Sequence, residues 1–382
     1  MPPDVVVIGA GSAGLQAARS ILEKTEYNVL VVEEHHRIGY PEHCTGLVSL
    51  KGIREALRVP LKSIALNYFK GAYIYSPNGS VLRIERRTNV AAAINRPLYE
   101  QTLYEEIAGR AEVLLSVRAG IAGEKVKVGE RVLAPKFTID ATGIQRLASR
   151  HLEAKKWILP AIQFDIRATL EDTEHVYVFI GSFFSKGLFA WAVPLGDNEC
   201  RVGLASTGNV LARLEYLLRK IEELTRGYIK PLSRIRVLGG AVYTGGLVGQ
   251  SEGNVLYIGD SAGQTKPTTG GGLVYHSIAS LHLAESLSQE SPHLYEKRIR
   301  KTIGREIYGQ FMLRRLLNSI EDRKVNELFD VIKKINGEEI ISVHGDMDMQ
   351  TGILYRIGLQ ALRKSPSVYL KLLPLFFNLL VS

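Results

Sequence analysis

Cysteine is nearly missing from this chain. The 382 residues hold only Cys44 and Cys200, which cannot make a disulfide framework, and no Cys-x-x-Cys or His-x-x-x-His spacing gathers the nine histidines into a metal site. A reducing, cytoplasmic setting and no bound metal are expected. The apolar run at Val5 starts with no basic leader before it, so no signal peptide is expected either. The C-terminal stretch Val368–Ser382 is strongly apolar, but Lys371 and Pro374 interrupt it and it falls short of the ~20 continuous residues that cross a bilayer. It reads as a packed terminal helix or as a segment resting on a membrane surface. No internal repeat, low-complexity tract or Pro/Gly/Ser-rich linker cuts the chain, so its domains are expected to interleave.

Charge is present in excess of one sign. The formal net charge is +9, which suits an anionic substrate, an anionic membrane surface or nucleic acid. Much of it lies late, in Tyr295-Glu-Lys-Arg-Ile-Arg-Lys and Met312-Leu-Arg-Arg-Leu-Leu, at helical spacing that reads as a solvated basic face or a membrane-facing one. Aromatic and basic residues do not alternate as in a single-strand-binding groove, so nucleic acid is not expected as a partner.

The most informative segment is the first. An apolar strand leads into Gly9-Ala-Gly11-Ser12-Ala13-Gly14, a helix follows to about Lys24, and the next strand ends at Glu33-Glu34, about 20 residues beyond Gly14. Gly9 permits the tight turn, Gly11 lets backbone N–H groups approach a pyrophosphate, and Gly14 lets helix and strand pack closely. Glu33 is placed to accept hydrogen bonds from a ribose diol. An adenine dinucleotide without a 2′-phosphate, FAD or NAD, is therefore expected at this helix N-terminus.

Three later segments extend the pattern. Asp140-Ala-Thr-Gly143 closes one apolar strand, Gly259-Asp260 closes another, and Pro267-Thr-Thr-Gly270-Gly271-Gly272 opens a helix. A carboxylate at a strand's carboxyl end can accept hydrogen bonds from a ribityl chain, and bare glycine N–H groups with a helix dipole can face the electron-rich edge of a flavin. Each acid taken alone also reads as a helix cap. Gly259-Asp-Ser261-Ala-Gly263 additionally matches the nucleophile elbow of an α/β-hydrolase, with His276 and His282 following; that reading leaves the other glycine motifs unexplained.

Together these segments resemble the FAD-binding pattern of the p-hydroxybenzoate hydroxylase-like flavoprotein superfamily, and within it the geranylgeranyl reductase family. The narrower likeness rests on Pro41-Glu-His-Cys44-Thr-Gly46-Leu-Val-Ser49, Phe189-Ala-Trp191-Ala-Val-Pro194 and His344-Gly-Asp346-Met-Asp348. It implies an α/β chain, α+β overall. The expected parts are a discontinuous Rossmann-like FAD domain (1–63, 96–160, 235–290), an antiparallel-sheet substrate domain (64–95, 161–234) and a mainly helical region (291–382). It implies that Cys44 lies by the flavin, that Phe189, Trp191 and Pro194 lie on the sheet covering a prenyl pocket, and that the reaction reduces isolated carbon–carbon double bonds. The chain departs from the family pattern at Val193, where a second aromatic is usual.

Such an alkene is a poor hydride acceptor, so the site must appose flavin and substrate, supply a proton and exclude water. As a free thiol, Cys44 could supply the proton or hold the ring; a small buried filler is its bland alternative. Arg96, at a helix start, is a candidate FAD contact or an exposed arginine. Phe189, Trp191 and Val193 share a strand face, either as pocket wall or as core. The resemblance implies an isoprenoid lipid substrate, most simply an archaeal-type geranylgeranyl lipid. Its donor would be NAD(P)H or a ferredoxin-like carrier, and its workplace the cytoplasm or the membrane periphery. A monooxygenase or halogenase of the same fold, and a non-catalytic flavin protein, are the other readings.

Overall fold

The computed structural model describes residues 2–364. The apolar stretch 368–382 lies outside the described residues.

Short strands, four of them buried along their whole length, build the first layer. Val5–Ile8, Val29–Val32, Glu112–Leu114, Phe137–Asp140 and Val255–Tyr257 form five parallel strands, with Ser251–Glu252 added antiparallel at one edge. Valine and isoleucine runs such as Val5–Ile8 are buried on both faces, as parallel strands between covering layers must be. The helix Ser12–Lys24 lies on one side against the helix Leu273–Ser288, where Ser20 Oγ and Ser280 Oγ meet at 3.0 Å. A small meander, Ala119–Ala122, Lys125–Val128 and Arg131–Leu133, covers the other side by placing Val126 and Val128 on Val6, Ile8, Leu30 and Val32.

The second layer is a seven-stranded sheet in the order Ile229–Tyr243, Ile158–Leu170, Glu199–Ala205, Ala190–Pro194, His175–Phe179, Gly71–Tyr75 and Val81–Glu85. Period-2 alternation divides its residues. Phe164, Ile166, Cys200, Val202 and Phe179 pack beneath the helix Val210–Leu224, whereas Trp191, Val193, Val176 and Leu159 face the opposite way. Cys200 is fully buried, and burial pushes its thiol pKa well up, in keeping with a structural role.

Two features depart from the sequence expectation. The excursion expected at 64–95 is shared between sheets. Gly71–Tyr75 and Val81–Glu85 turn around Ser76–Gly79 into the large sheet, while Ala65–Phe69 and Ala91–Ile94 form a separate three-stranded sheet with Leu47–Ser49. Moreover, Gly71–Tyr75 pairs parallel with His175–Phe179, a long-range choice that no local turn signal encodes. The strand Ile229–Tyr243 also runs past the boundary expected at residue 235, because its whole length pairs with Ile158–Leu170.

Helices occupy the C-terminal region. Asp322–Lys334 sets Val325 and Phe329 on Leu82, and Gly337–His344 covers the exposed edge of Val81–Glu85. There Glu338 and Ser342 side chains accept the otherwise free N–H groups of Arg83 and Glu85 at 2.7 and 3.0 Å. Arg314, expected on a solvated or membrane-facing surface, is instead buried and donates to the carbonyls of Pro267 and Thr268. Burial pushes its pKa down to about 10. Among the described residues no helix is long and apolar enough to cross a membrane.

Candidate active site

A cleft of about 1350 Å³ runs from the carboxyl ends of the parallel strands to the inner face of the seven-stranded sheet. That exceeds the roughly 300–1,000 Å³ of a single small-ligand pocket, leaving room for an extended cofactor and a second molecule.

Gly9, Gly11, Ser12 and Ala13 form one end. Gly9 has φ +100°, and a Cβ there would lie 2.6 Å from the Ala141 carbonyl oxygen; one on Gly14 would lie 1.9 Å from that of Gly9. These two glycines set the backbone. A Cβ on Gly11 would meet nothing within 4 Å, so Gly11 instead leaves open space in the cleft. Glu33 and Glu34 stand at the rim. Glu33 accepts the Ala10 N–H at 2.7 Å and the His35 N–H at 2.9 Å, and Glu34 accepts from Arg118 and Gln145. The Ser12 N–H, at the positive end of its helix, donates to Glu100 at 2.9 Å, showing that an anion is welcome there.

Arg96 pairs with Glu100 across one helical turn and lines the cleft. It is not the exposed helix-start arginine of the bland reading: its side chain is only 12% exposed and its Nε is buried without a hydrogen-bond partner. Burial works against its charge, but Glu100, Cys44 and Tyr99 outweigh burial and raise its pKa.

The other wall of this end comes from Gly143, Asp260 and the run Gly270–Gly272. Gly270 has φ +73°, and a Cβ there would lie 2.1 Å from Val242 Cγ1. The helix after Gly272 has no acidic residue in its first turn to neutralise its dipole. His276, in that turn, is buried; Nδ1 is 3.3 Å from Ser12 Oγ, and Nε2 lies 3.2 Å from Asp260 Oδ1 without the alignment of a hydrogen bond. Orphaned donors, bare glycine backbone and two helix N-termini fit a dinucleotide with a flavin ring.

Five expected contact residues lie behind the wall, Gly14 of the first turn among them. Asp140 is 4% exposed, and its Oδ1 accepts the N–H and hydroxyl of Thr142, so it shapes the loop while Ala141, Thr142 and Gly143 line the cleft. Gly259 is packed on Ala13, where a Cβ would lie 2.6 Å from the Ala13 Cβ. Pro267 is buried against Arg314. Pro194 is out of register: Phe189, Trp191 and Val193 line the cleft, and the even-numbered residues of that strand point away. The hydrolase reading fails here too, because Ser261 is fully buried and donates to the carbonyls of Asp140 and Ile258.

Cys44 lines the cleft, its Sγ accepting the Gly46 N–H at 3.4 Å. Its loop is pinned by a network that sequence reasoning missed. Arg201, 1% exposed, donates to the Cys44 carbonyl at 2.8 Å and pairs with Asp165 at 2.7 Å and Glu42 at 3.0 Å, and Arg236 bridges the same two acids. Gln163 adds a second tie: its Oε1 accepts from Thr45 at 2.6 Å and from Trp191 Nε1 at 3.1 Å, and its Nε2 donates to the His43 carbonyl. A lone acid inside Phe164-Asp165-Ile166 and a lone arginine inside Cys200-Arg201-Val202 were the available signals, since buried charges in apolar strands require partners. Among the described residues no cluster could hold a metal ion.

Fold and cleft together define the architecture of an FAD-dependent oxidoreductase. No family model matches the chain. An uncharacterized protein of Methanocaldococcus jannaschii is 30% identical over 372 residues, covering 93% of this chain and 94% of that protein. The digeranylgeranylglycerophospholipid reductase of Methanosarcina acetivorans is 26% identical over 374 residues, covering 88% and 90%. In structure, a geranylgeranyl bacteriochlorophyll reductase-like protein from Thermoplasma acidophilum superposes with a TM-score of 0.80 at 22% identity, covering 98% of this chain and 99% of that one. The chain is thus similar over most of its length to digeranylgeranylglycerophospholipid reductases and shares the fold of the geranylgeranyl bacteriochlorophyll reductase-like protein.

Proposed function

We propose that the protein is an FAD-dependent reductase that saturates the double bonds of geranylgeranyl groups, with a digeranylgeranyl glycerophospholipid of the archaeal type as substrate. The observation that carries this reading is one continuous cleft in which the apolar wall of Phe189, Trp191 and Val193 meets the glycine cradle, with Cys44 lining the same space. The names of the relatives and the family likeness support the substrate class.

In this reading Gly11, Ser12 and Arg96 hold the pyrophosphate region and Glu33 the ribose. Gly270–Gly272 back the ring edge. Reduced FAD supplies the hydride when bound. The chain supplies the rest: Trp191, held by Gln163, and Val193 line up the prenyl chain, the apolar wall excludes water, and Cys44 Sγ hands a proton to the second alkene carbon. NAD(P)H or a ferredoxin-like carrier reduces the cofactor, and the enzyme meets its lipid at a membrane surface.

The test is anaerobic. Purified protein is reduced with dithionite and given a geranylgeranylated glycerophospholipid, while flavin absorbance and product mass are followed. Reoxidation with a gain of two hydrogens per bond is expected. A bound flavin that only oxygen reoxidises would replace this reading with a monooxygenase.

A further inference from the structure

Lys266 carries a buried charge that the proposed chemistry does not yet use. It lies in the turn before Gly270–Gly272, lines the cleft and is 8% exposed. A Cβ placed on Gly271 would lie 2.9 Å from Lys266 Cε and 3.4 Å from Nζ, so the ammonium sits directly against the glycine run. The Lys266 N–H also donates to the Gly271 carbonyl at 2.9 Å, closing the turn. The ammonium is met from across the cleft by the His344-Gly-Asp346-Met-Asp348 segment: Nζ donates to Asp348 Oδ1 at 2.9 Å and to the Met347 carbonyl at 3.2 Å. Asp348 is itself 5% exposed and its Oδ2 accepts the hydroxyl of Ser49, at the end of the Cys44 loop.

Desolvation makes such a pair costly, and a hydrophobic pair of the same volume would usually serve stability as well. We propose that Lys266 is a charge-positioning residue for the flavin, its ammonium stabilising the negative charge that the ring edge takes up on reduction, and that Asp348 sets how strongly that charge is felt. This rests on the reading that FAD lies against Gly270–Gly272. Two electrons and one proton, arriving as hydride from NAD(P)H or as two electrons from a ferredoxin-like donor with a proton from water, leave one negative charge on the ring, within reach of a cation in a low-dielectric wall.

The test uses FAD-loaded protein and two variants that break the same ion pair, Lys266→Met and Asp348→Asn. The midpoint potential and the affinity for sulfite, which adds to the oxidised ring and places negative charge on the same edge, are the readouts. Lys266→Met is expected to weaken sulfite binding about tenfold and lower the potential by about 30 mV, the two-electron equivalent of tenfold. Asp348→Asn is expected to shift both the opposite way. Loss of the pair as a mere brace would move the two variants alike, so shifts of the same sign, or none, overturn the proposal. Where Lys266→Met fails to fold, the sign of the Asp348→Asn shift decides. Wild-type protein that takes up no FAD would overturn the cofactor reading itself.

Discussion

Arg201 Nη1 lies 2.8 Å from the carbonyl oxygen of Cys44, so a guanidinium rooted in the large sheet holds the loop that carries the cleft thiol. Replacing Arg201 with Met leaves Asp165 and Glu42 buried with one cation, Arg236, that is itself 44% exposed. A loss of about 3–5 kcal/mol is expected, read as a shift of the urea midpoint.

The same network predicts a pH dependence. Burial opposes ionisation of Asp165, but hydrogen bonds and charge from Arg201 and Arg236 outweigh it and hold its carboxyl below the usual carboxylate range. A depressed folded-state pKa gives stability that is present above the unfolded value of about 3.9 and lost as pH falls through the folded one. Thermal melts are therefore expected to fall steeply below about pH 4. Asp165→Asn, less stable at neutral pH, should show a flatter acid limb; an unchanged limb would mean that other carboxylates govern it.

Cys44→Ala is expected to retain FAD and the wild-type melting temperature while alkene reduction slows about a hundredfold, the lower range for loss of a general acid. Single-turnover reoxidation of reduced enzyme by lipid measures this. Unchanged turnover would assign the thiol to packing.

The glycines of the first turn should separate fold from cofactor. Gly14→Ala drives a Cβ to 1.9 Å from the Gly9 carbonyl oxygen and should cost about 3 kcal/mol or more. Gly11→Val enters open space, so its melt without cofactor should match wild type while FAD affinity falls at least tenfold. Fluorescence titration with FAD distinguishes the two.

Register gives a last contrast. Val193→Trp adds bulk to the cleft wall and is expected to raise KM for a long prenyl chain more than for a short one. Pro194→Ala, on the other face, should leave chain-length preference alone.

Much of this was readable in advance where the signal is local. The Gly9–Gly14 turn, the strand to Glu33, the turn at Ser76–Gly79 and the shared face of Phe189, Trp191 and Val193 each follow from spacing over a few residues. Pro194 was misplaced because its motif was followed instead of its alternation. Glu42, Asp165, Arg201 and Arg236 were missed because they come from a loop and three strands far apart in the chain, and no short pattern links them. The same holds for Lys266 and Asp348, whose pairing depends on how the C-terminal helices return to the cleft.

The parallel pairing of Gly71–Tyr75 with His175–Phe179 also sets an order of events for a chain emerging from the ribosome. The first of these strands must wait for the second. The wall bearing Phe189 and Trp191 gains its outer partner only with Tyr243, and Gly271 and Asp346 close the cleft later still. Until then a nascent molecule presents the surface meant for an isoprenoid tail, and a bound cofactor or an attending chaperone would have most to protect at that stage.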